Sequence, residues 1–266
     1  PLLSPEQSSP LGRSLRLTGA FRYEANTRTD SVGLPKLGII YEPVQGLVLK
    51  GSWGRSFRLP TLYQRYSTSY AGLISTEGRA TGFPTGSTII SLTGSNPSLK
   101  AEKSENWTVS AEFKPASHPE FSGSITYFHF DYTDRVAEPL SSSVGALNNP
   151  LYASLITFDP TLAQQQAAIA GAALGLENET ATPYDPATVV AILDRRDRNM
   201  AREIYKGISL SLRYRIGDPD RDSFDFSFDG NWIDSQRQLL EGLPVTDLSG
   251  TLFNPPKLKG RAGLAY

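Results

Sequence analysis

Arginine and tyrosine form the densest cluster of chemically useful side chains in the sequence. Arg55 and Arg58 close one strand-like segment, and Tyr63, Tyr66 and Tyr70 follow in the loop after it. Guanidinium groups hold oxyanions through charge-assisted hydrogen bonds and phenol rings offer stacking surface, so the mixture suits an anionic chelate. A plainer arrangement uses the same residues: the arginines pair with neighbouring carboxylates and the tyrosines pack the loop. Catalytic sets are thin. His118 sits in the turn PASHPE and His129 in a strand, which is no paired-ligand spacing. Asp218, Asp220, Asp222 and Asp225 lack the full calcium-loop pattern and read as a solvated turn. TEGRATG and TGFPTGS are followed by no Gly-Lys-Ser/Thr, so they are not phosphate loops. No Ser, His and acid set is proposed by spacing, no metal or cofactor is implied, and the sequence does not read as an enzyme.

Composition narrows the classes further. The 266 residues contain no cysteine, which excludes thiol nucleophiles, disulfides and cysteine metal sites. A formal net charge of -1 with no basic block gives a nucleic-acid groove little support. No run approaches the length of a transmembrane helix, a test that is blind to transmembrane strands. The opening PLLSPEQSSP carries no signal peptide, and residues 1–12 read as a flexible lead or the remnant of a loop.

Period-2 alternation organises the rest. Leu47, Leu49, Gly51, Trp53 and Phe57 share one parity against Val48, Lys50 and Ser52, and Trp107, Val109, Ala111 and Phe113 repeat the pattern against Thr108, Ser110 and Glu112. Similar segments run from Arg13 to Glu24, Lys36 to Glu42, Phe121 toward Arg135, Ile204 to Ile216, Phe224 to Trp232, and from Leu258 to the end. Parity blurs at Phe128 and Phe130, which points to a bulge or to the end of the apolar band. About eight strands result, longer than is usual in soluble sheets and with charge on one face throughout.

The connections alternate. Short turns at Pro43 to Gly46, Pro115 to Glu120 and Gly217 to Arg221 interleave with long excursions at 58–102 and 136–202. An up-and-down antiparallel transmembrane barrel wall gives that asymmetry, with short periplasmic turns and long extracellular loops. The first excursion is rich in Gly, Ser and Thr and reads as an irregular surface loop. In the second, Asp159-Pro160 before TLAQQQAAIAGAALG and Asp185-Pro186 before ATVVAILDRRDR predict two short helices, the first stopped at Gly175. On this reading Arg16, Lys50, Glu112, Arg213, Asp225 and Lys259 face a wet lumen, and Leu49, Val109, Leu212 and Phe226 face lipid.

The segment GSWGRSFRLPTLYQRY resembles the strand-and-loop signature of TonB-dependent outer-membrane receptors, in which an aromatic residue, Arg, Pro and Thr mark the strand exit; here these are Phe57, Arg58, Pro60 and Thr61. The run from Asn96 and Pro97 through Glu102 to Trp107 resembles the family segment that starts the next strand. SGSITYFHFDYTDRV and NMAREIYKGISLSLRYRI resemble those that follow, so the resemblance covers roughly residues 35–266. It implies a section of a 22-stranded barrel filled by an amino-terminal plug. Such a barrel, in the outer membrane of a Gram-negative bacterium, imports ferric siderophores, cobalamin or other scarce large solutes with energy from the TonB complex.

The partners implied are outer-membrane lipid, a plug domain, the remaining barrel strands, the TonB complex and an iron chelate. This chain, with no plug and room for about eight strands, is expected to be an internal or carboxy-proximal section. Such a section either stays an open sheet or closes its first strand onto its last. The alternative is a soluble or surface structural or adhesive β domain whose loops bind protein or glycan.

Overall fold

A computed structural model describes residues 12–25, 31–218 and 222–266. The expected lead at 1–12 lies outside the described residues up to position 11, and so do Asp220 and the end of the turn at Gly217 to Arg221.

The chain begins as a meander of β1 (Ser14–Glu24), β2 (Val32–Val44) and β3 (Leu47–Arg58). It then passes through α1 (Leu62–Tyr66), β4 (Ser69–Ser75) and β5 (Thr88–Gly94) before returning as β6 (Glu102–Phe113) and β7 (Phe121–Ala137). A second excursion holds β8 (Ile156–Phe158), α2 (Leu162–Ala170), β9 (Leu176–Asn178) and β10 (Val189–Asp194). The last limb is β11 (Arg198–Gly217), β12 (Ser223–Gln238), the two-residue β13 (Thr246–Asp247) and β14 (Leu258–Ala265). The wall is one antiparallel sheet in the order β1-β2-β3-β6-β7-β11-β12, with β13 and β14 both on β12. Eight long strands therefore build it, and β1 and β14 are its ends, so the sheet does not close.

Register turns the alternation into two faces, because directly paired residues in an antiparallel ladder project to the same side. One row reads Leu17, Ile39, Gly51, Val109, Tyr127, Ile208, Trp232 and Leu258 across all eight strands. The neighbouring row reads Arg16, Ile40, Lys50, Ser110, Thr126, Ser209, Asn231 and Lys259. The first face is apolar yet solvent-accessible: Leu17 is 56% exposed, Val109 55% and Leu264 64%. A contiguous apolar face of this kind belongs against lipid, not water, and it speaks against a soluble β domain. From Phe121 to His129 along β7 the band measures about 27 Å of strand, or roughly 20 Å of height at the usual barrel tilt. Its lower edge carries Phe113 packed edge-on to Phe121 at 6.2 Å, and its upper edge the pair Trp53 and Trp107. The opposite face is cross-linked by exposed ion pairs, including Lys50 with Glu112 at 2.5 Å and Arg213 with Asp229 at 3.0 Å.

Four local expectations need correction. Pro43 lies inside β2, which is longer at both ends than Lys36 to Glu42, and the turn is Gln45 and Gly46 alone. The 58–102 excursion is no irregular loop, since it holds α1 and the hairpin of β4 and β5. Of the two expected helices only α2 forms, capped by Thr161 and not Asp159, and its helical turns end at Gly171, short of Gly175. The second start signal yields a single 3-10 turn, Pro186–Thr188, and then the strand β10. Parity along β7 does not slip at Phe128 and Phe130; the register irregularities oppose Arg135, where Asp134 takes a positive φ of 56°.

Both excursions leave the wall at the same end and join there into a second sheet, ordered β8-β10-β5-β4-β9. Its two faces bury separate apolar clusters. One contains Ile74, Ile89 and Leu193 with Leu140, Leu147 and Leu240; the other contains Leu73, Ile90 and Ile192, against which Ala168 and Ile169 of α2 pack. Gly94 ends β5 opposite Ser69 at φ 95°, where a Cβ would collide with the Thr68 carbonyl oxygen.

A charge on the lipid face should be far less tolerable than one on the wet face. Leu210→Arg, opposite Ile125 at the middle of the band, should weaken folding into lipid by about 2–4 kcal/mol. Ser211→Arg, one residue away, should cost much less. Folding titrations into phospholipid vesicles read the difference, and equal effects would refute the assignment of faces.

Candidate functional site

The wet face changes character near the rim. Below, it is a lattice of Ser, Thr and exposed ion pairs; at the rim, β7 turns Phe128, Phe130 and Tyr132 inward in succession. Their rings run as a stripe: Phe128 to Phe130 at 5.9 Å, Phe130 to Tyr132 at 6.5 Å and near parallel, and Tyr132 edge-on to Tyr205 of β11 at 5.8 Å. Gly207 makes the stripe possible. A Cβ there would lie 2.6 Å from the Phe128 ring and would strike the Trp232 carbonyl oxygen, so only a bare backbone lets the ring lie across β11.

Beside the rings stand three guanidinium groups and two buried carboxylates. Glu203, whose side chain is 2% exposed, accepts from Arg237 Nε at 2.5 Å, from Tyr205 Oη at 3.0 Å and from Arg135 Nη1. Glu102, also buried, takes Arg58 as a fork, Nε to Oε2 at 2.9 Å and Nη2 to Oε1 at 3.0 Å, and accepts the Val136 backbone N–H at 2.9 Å. Arg135 also lies over the Tyr132 ring, 5.7 Å from its centre. The rings, Arg58, Arg135 and Glu102 line a cavity of about 480 Å³, with Ser56 and Ser104 on its wall. The Ser104 hydroxyl is buried and has no protein partner among the described residues, leaving a donor available beside the cavity. Three guanidiniums against two carboxylates leave one surplus positive charge next to an aromatic stripe. That combination can hold an anion with a flat apolar part.

The five residues expected to contact a ligand do not converge. Arg58 lines this cavity. Arg55, three residues earlier, projects from the other face, donates to Glu105 at 3.0 Å and lies 5.6 Å over Trp53. Tyr63 and Tyr66 stand exposed on α1, Tyr66 beneath the Arg65 guanidinium, and Tyr70 is half-buried in β4. Phe128 and Phe130 stood out in the sequence only for their parity, and Tyr132, Arg135, Glu203, Tyr205 and Arg237 were not expected at a site. Their signal was the inward parity of three aromatics at the end of β7, facing cations and a carboxylate on the strands beside it.

The signature residues knit the strand exit to the next strand. Pro60 is buried, and Thr61 caps α1 in a capping box: its Oγ1 accepts the Gln64 N–H at 3.1 Å while Gln64 Oε1 accepts the Thr61 N–H at 2.9 Å. The Pro97 carbonyl accepts from Arg65 Nη2 at 2.8 Å, and Asn96 bridges Ser98 to the Asp197 carbonyl. Phe57 pairs with Lys103 four residues above Trp107. His118 meets Glu120 at 3.1 Å and His129 stacks on Trp107, so the two histidines stay apart. Asp225 pairs with Arg215, Asp222 accepts from Tyr266, and no three His or acidic residues gather as a metal site among the described residues.

Above the rim, Asp194 at the end of β10 ties the second sheet to β11. Burial pushes its carboxyl up, but the Arg196 and Arg198 guanidiniums outweigh this and hold it below the ordinary value. A depressed carboxyl contributes stability above its unfolded pKa, near 3.9, and loses that contribution as pH falls through the folded value.

The TonB dependent receptor-like, beta-barrel family model matches residues 7–266. A search of curated protein sequences found no match. Among solved structures, the FrpB iron transporter from Neisseria meningitidis is similar at a TM-score of 0.50 and 16% identity, over 95% of this chain and 28% of that one. The ferric enterobactin receptor PfeA of Pseudomonas aeruginosa, in its G324V form, is similar at a TM-score of 0.50 and 15% identity, over 94% and 34%. The chain thus spans about a third or less of the length of these structures.

Two outcomes follow from the geometry. Glu203→Ala should cost about 3–5 kcal/mol, because it leaves Arg135 and Arg237 facing each other without their shared counter-charge. Glu112→Ala, which breaks only an exposed pair, should cost under about 1 kcal/mol; denaturant unfolding in lipid compares them. In acid, amide protection of β10 should hold down to the ordinary carboxylate range and fall only below it. Asp194→Asn should lack that step, and an unchanged acid profile in this variant would contradict the tie.

Proposed function

Because the chain belongs to the TonB-dependent receptor β-barrel family, we propose that it is a section of the wall of an outer-membrane receptor in a Gram-negative bacterium. The receptor takes up an iron chelate or a similarly scarce large solute, and the rim with the second sheet faces outward. The observation that carries this reading is the cavity of about 480 Å³ on the inner face, where Arg58 and Arg135 stand beside Phe128, Phe130, Tyr132 and Tyr205. Anionic chelates with aromatic arms fit such a surface by charge-assisted hydrogen bonds and stacking. The names of the similar structures, an iron transporter and a ferric enterobactin receptor, support the ligand class.

In this reading the exposed Tyr63 and Tyr66 on α1 meet the ligand first and Arg58 receives it on the inner face. Tyr70 holds the second sheet in place behind them. Arg55, held by Glu105 on the other face, belongs to the wall and not to the passage. A plug domain lies against the inner face of the complete receptor, and the TonB complex supplies the energy.

Chelate binding and uptake by the complete receptor, at matched surface abundance, test the assignment. Phe130→Ala and Arg58→Gln should each weaken binding by about tenfold or more, the scale of one charge-assisted hydrogen bond or ring contact. Tyr63→Ala combined with Tyr66→Ala should slow capture, and Arg55→Gln should leave binding unchanged. Full binding in both Phe130→Ala and Arg58→Gln would remove the cavity from the ligand's path.

A further inference from the structure

A second pocket, which adjoins the aromatic cavity at Lys103, lies where the start of β6, the irregular turn of β7 at Asp134 and the end of β10 meet. We propose that it is a phosphate site, built to take the dianion of a phosphate monoester.

Its volume is about 560 Å³, and its charged lining is Lys100, Lys103, Arg196 and Arg198 against Asp134 and Asp194. Four cations against two carboxylates leave a surplus of two positive charges, which a dianion matches and a single carboxylate does not. Asp194 positions the guanidiniums: its Oδ1 accepts from Arg196 Nε at 2.9 Å, and its Oδ2 accepts from Nη2 of Arg196 and Nη2 of Arg198, each at 2.7 Å. Arg196 Nη1 and Arg198 Nε and Nη1 are left with no protein partner among the described residues. Lys103 reaches Asp134 at 3.3 Å, while the Lys100 ammonium has no protein partner among the described residues.

The backbone beneath Lys100 is fixed from both sides. Its N–H donates to Asn199 Oδ1 at 2.7 Å and its carbonyl accepts from Asn199 Nδ2 at 2.9 Å. Cations from two chain segments are therefore brought together before any ligand arrives, which lowers the ordering cost of binding. The contact with Asp194 raises the Arg196 pKa, so the donors stay charged across the physiological range. Room remains for the group esterified to the phosphate.

The pocket shares Lys103 with the lining of the aromatic cavity, while Lys100, Arg196 and Arg198 line this pocket alone. Lys103 stands four residues above Trp107, on the face whose lower part is the lipid band. A phosphate on a lipid headgroup and one on a soluble ester share the chemistry, and the experiment separates them. The full chain in detergent micelles is titrated with inorganic phosphate and with citrate. Separately, it is supplied with phosphatidic acid, a monoester lipid, or phosphatidylglycerol, a diester, and retained lipid is read by native mass spectrometry.

The expected result is binding of phosphate in preference to citrate, weakened about tenfold by Lys100→Glu and unaffected by Lys114→Glu at the opposite end of the wall. Lys100 is exposed, so the variant should keep the fold. Preferential retention of phosphatidic acid, lost in Lys100→Glu, assigns the site to a headgroup. Phosphate binding with no lipid preference assigns it to a soluble ester. Citrate held as tightly as phosphate, Lys100→Glu without effect, or no binding of either phosphate source would overturn the proposal.

Discussion

The inter-strand ladder fixes everything else in this protein. Within a bilayer there is no water to answer an unpaired N–H or C=O, so each wall strand must be satisfied by its neighbours. Pairing in a single register then dictates, residue by residue, which side chains meet lipid and which meet the lumen. Sixteen consecutive pairs join β11 to β12 without a slip, from Arg202 opposite Gln238 to Gly217 opposite Ser223. A shift of one residue would carry Phe224, Phe226 and Phe228 inward and Asp225 and Asp229 into the hydrocarbon. The cross-strand pairs of Arg213 with Asp229 and Arg215 with Asp225 guard against that shift, although each, being exposed, adds little stability by itself.

At the rim the same ladder serves a different end. The carboxylates of Glu102 and Glu203 are buried where β6 and β11 leave the band; Glu102 takes one guanidinium, from β3, and Glu203 takes two, from β7 and β12. Desolvating these charges is costly, so the arrangement specifies geometry more than it adds stability. It holds Arg58 and Arg135 at one edge of an aromatic stripe whose far ring rests on Gly207. The second sheet, formed from both long excursions and packed on its own apolar clusters, stands above them as an ordered structure at the mouth of the wall.

The wall was legible in the sequence because period-2 alternation, Gly and Pro turns and the inequality of the connections all point the same way. The second sheet was not. SYAGLIS and TIISLTG are buried on both faces, so they show no alternation, and VVAILD after Asp185-Pro186 carries the same start signal as a helix. Helix α2 was visible, but the positive φ of Asp159 moved its cap to Thr161. The aromatic cavity was hidden for a related reason. Inward aromatics at Phe128 and Phe130 look like lost parity when apolar is equated with lipid-facing, whereas the unbroken pairing to β6 and β11 shows that they line the inner face. Arg55 and Arg58 look like partners in sequence, yet an offset of three residues on a strand sends them to opposite sides.

The two-faced wall is the claim on which the rest stands, and the absence of cysteine in the chain allows a direct test. Single cysteines placed in turn from Ser209→Cys to Tyr214→Cys along β11, spin-labelled and folded into vesicles, report collision with oxygen, which partitions into lipid, or with a water-soluble nickel chelate. The structure predicts strict alternation: oxygen contact at Leu210, Leu212 and Tyr214, and chelate contact at Ser209, Ser211 and Arg213. Uniform accessibility along the series, or alternation with the opposite phase, would contradict it.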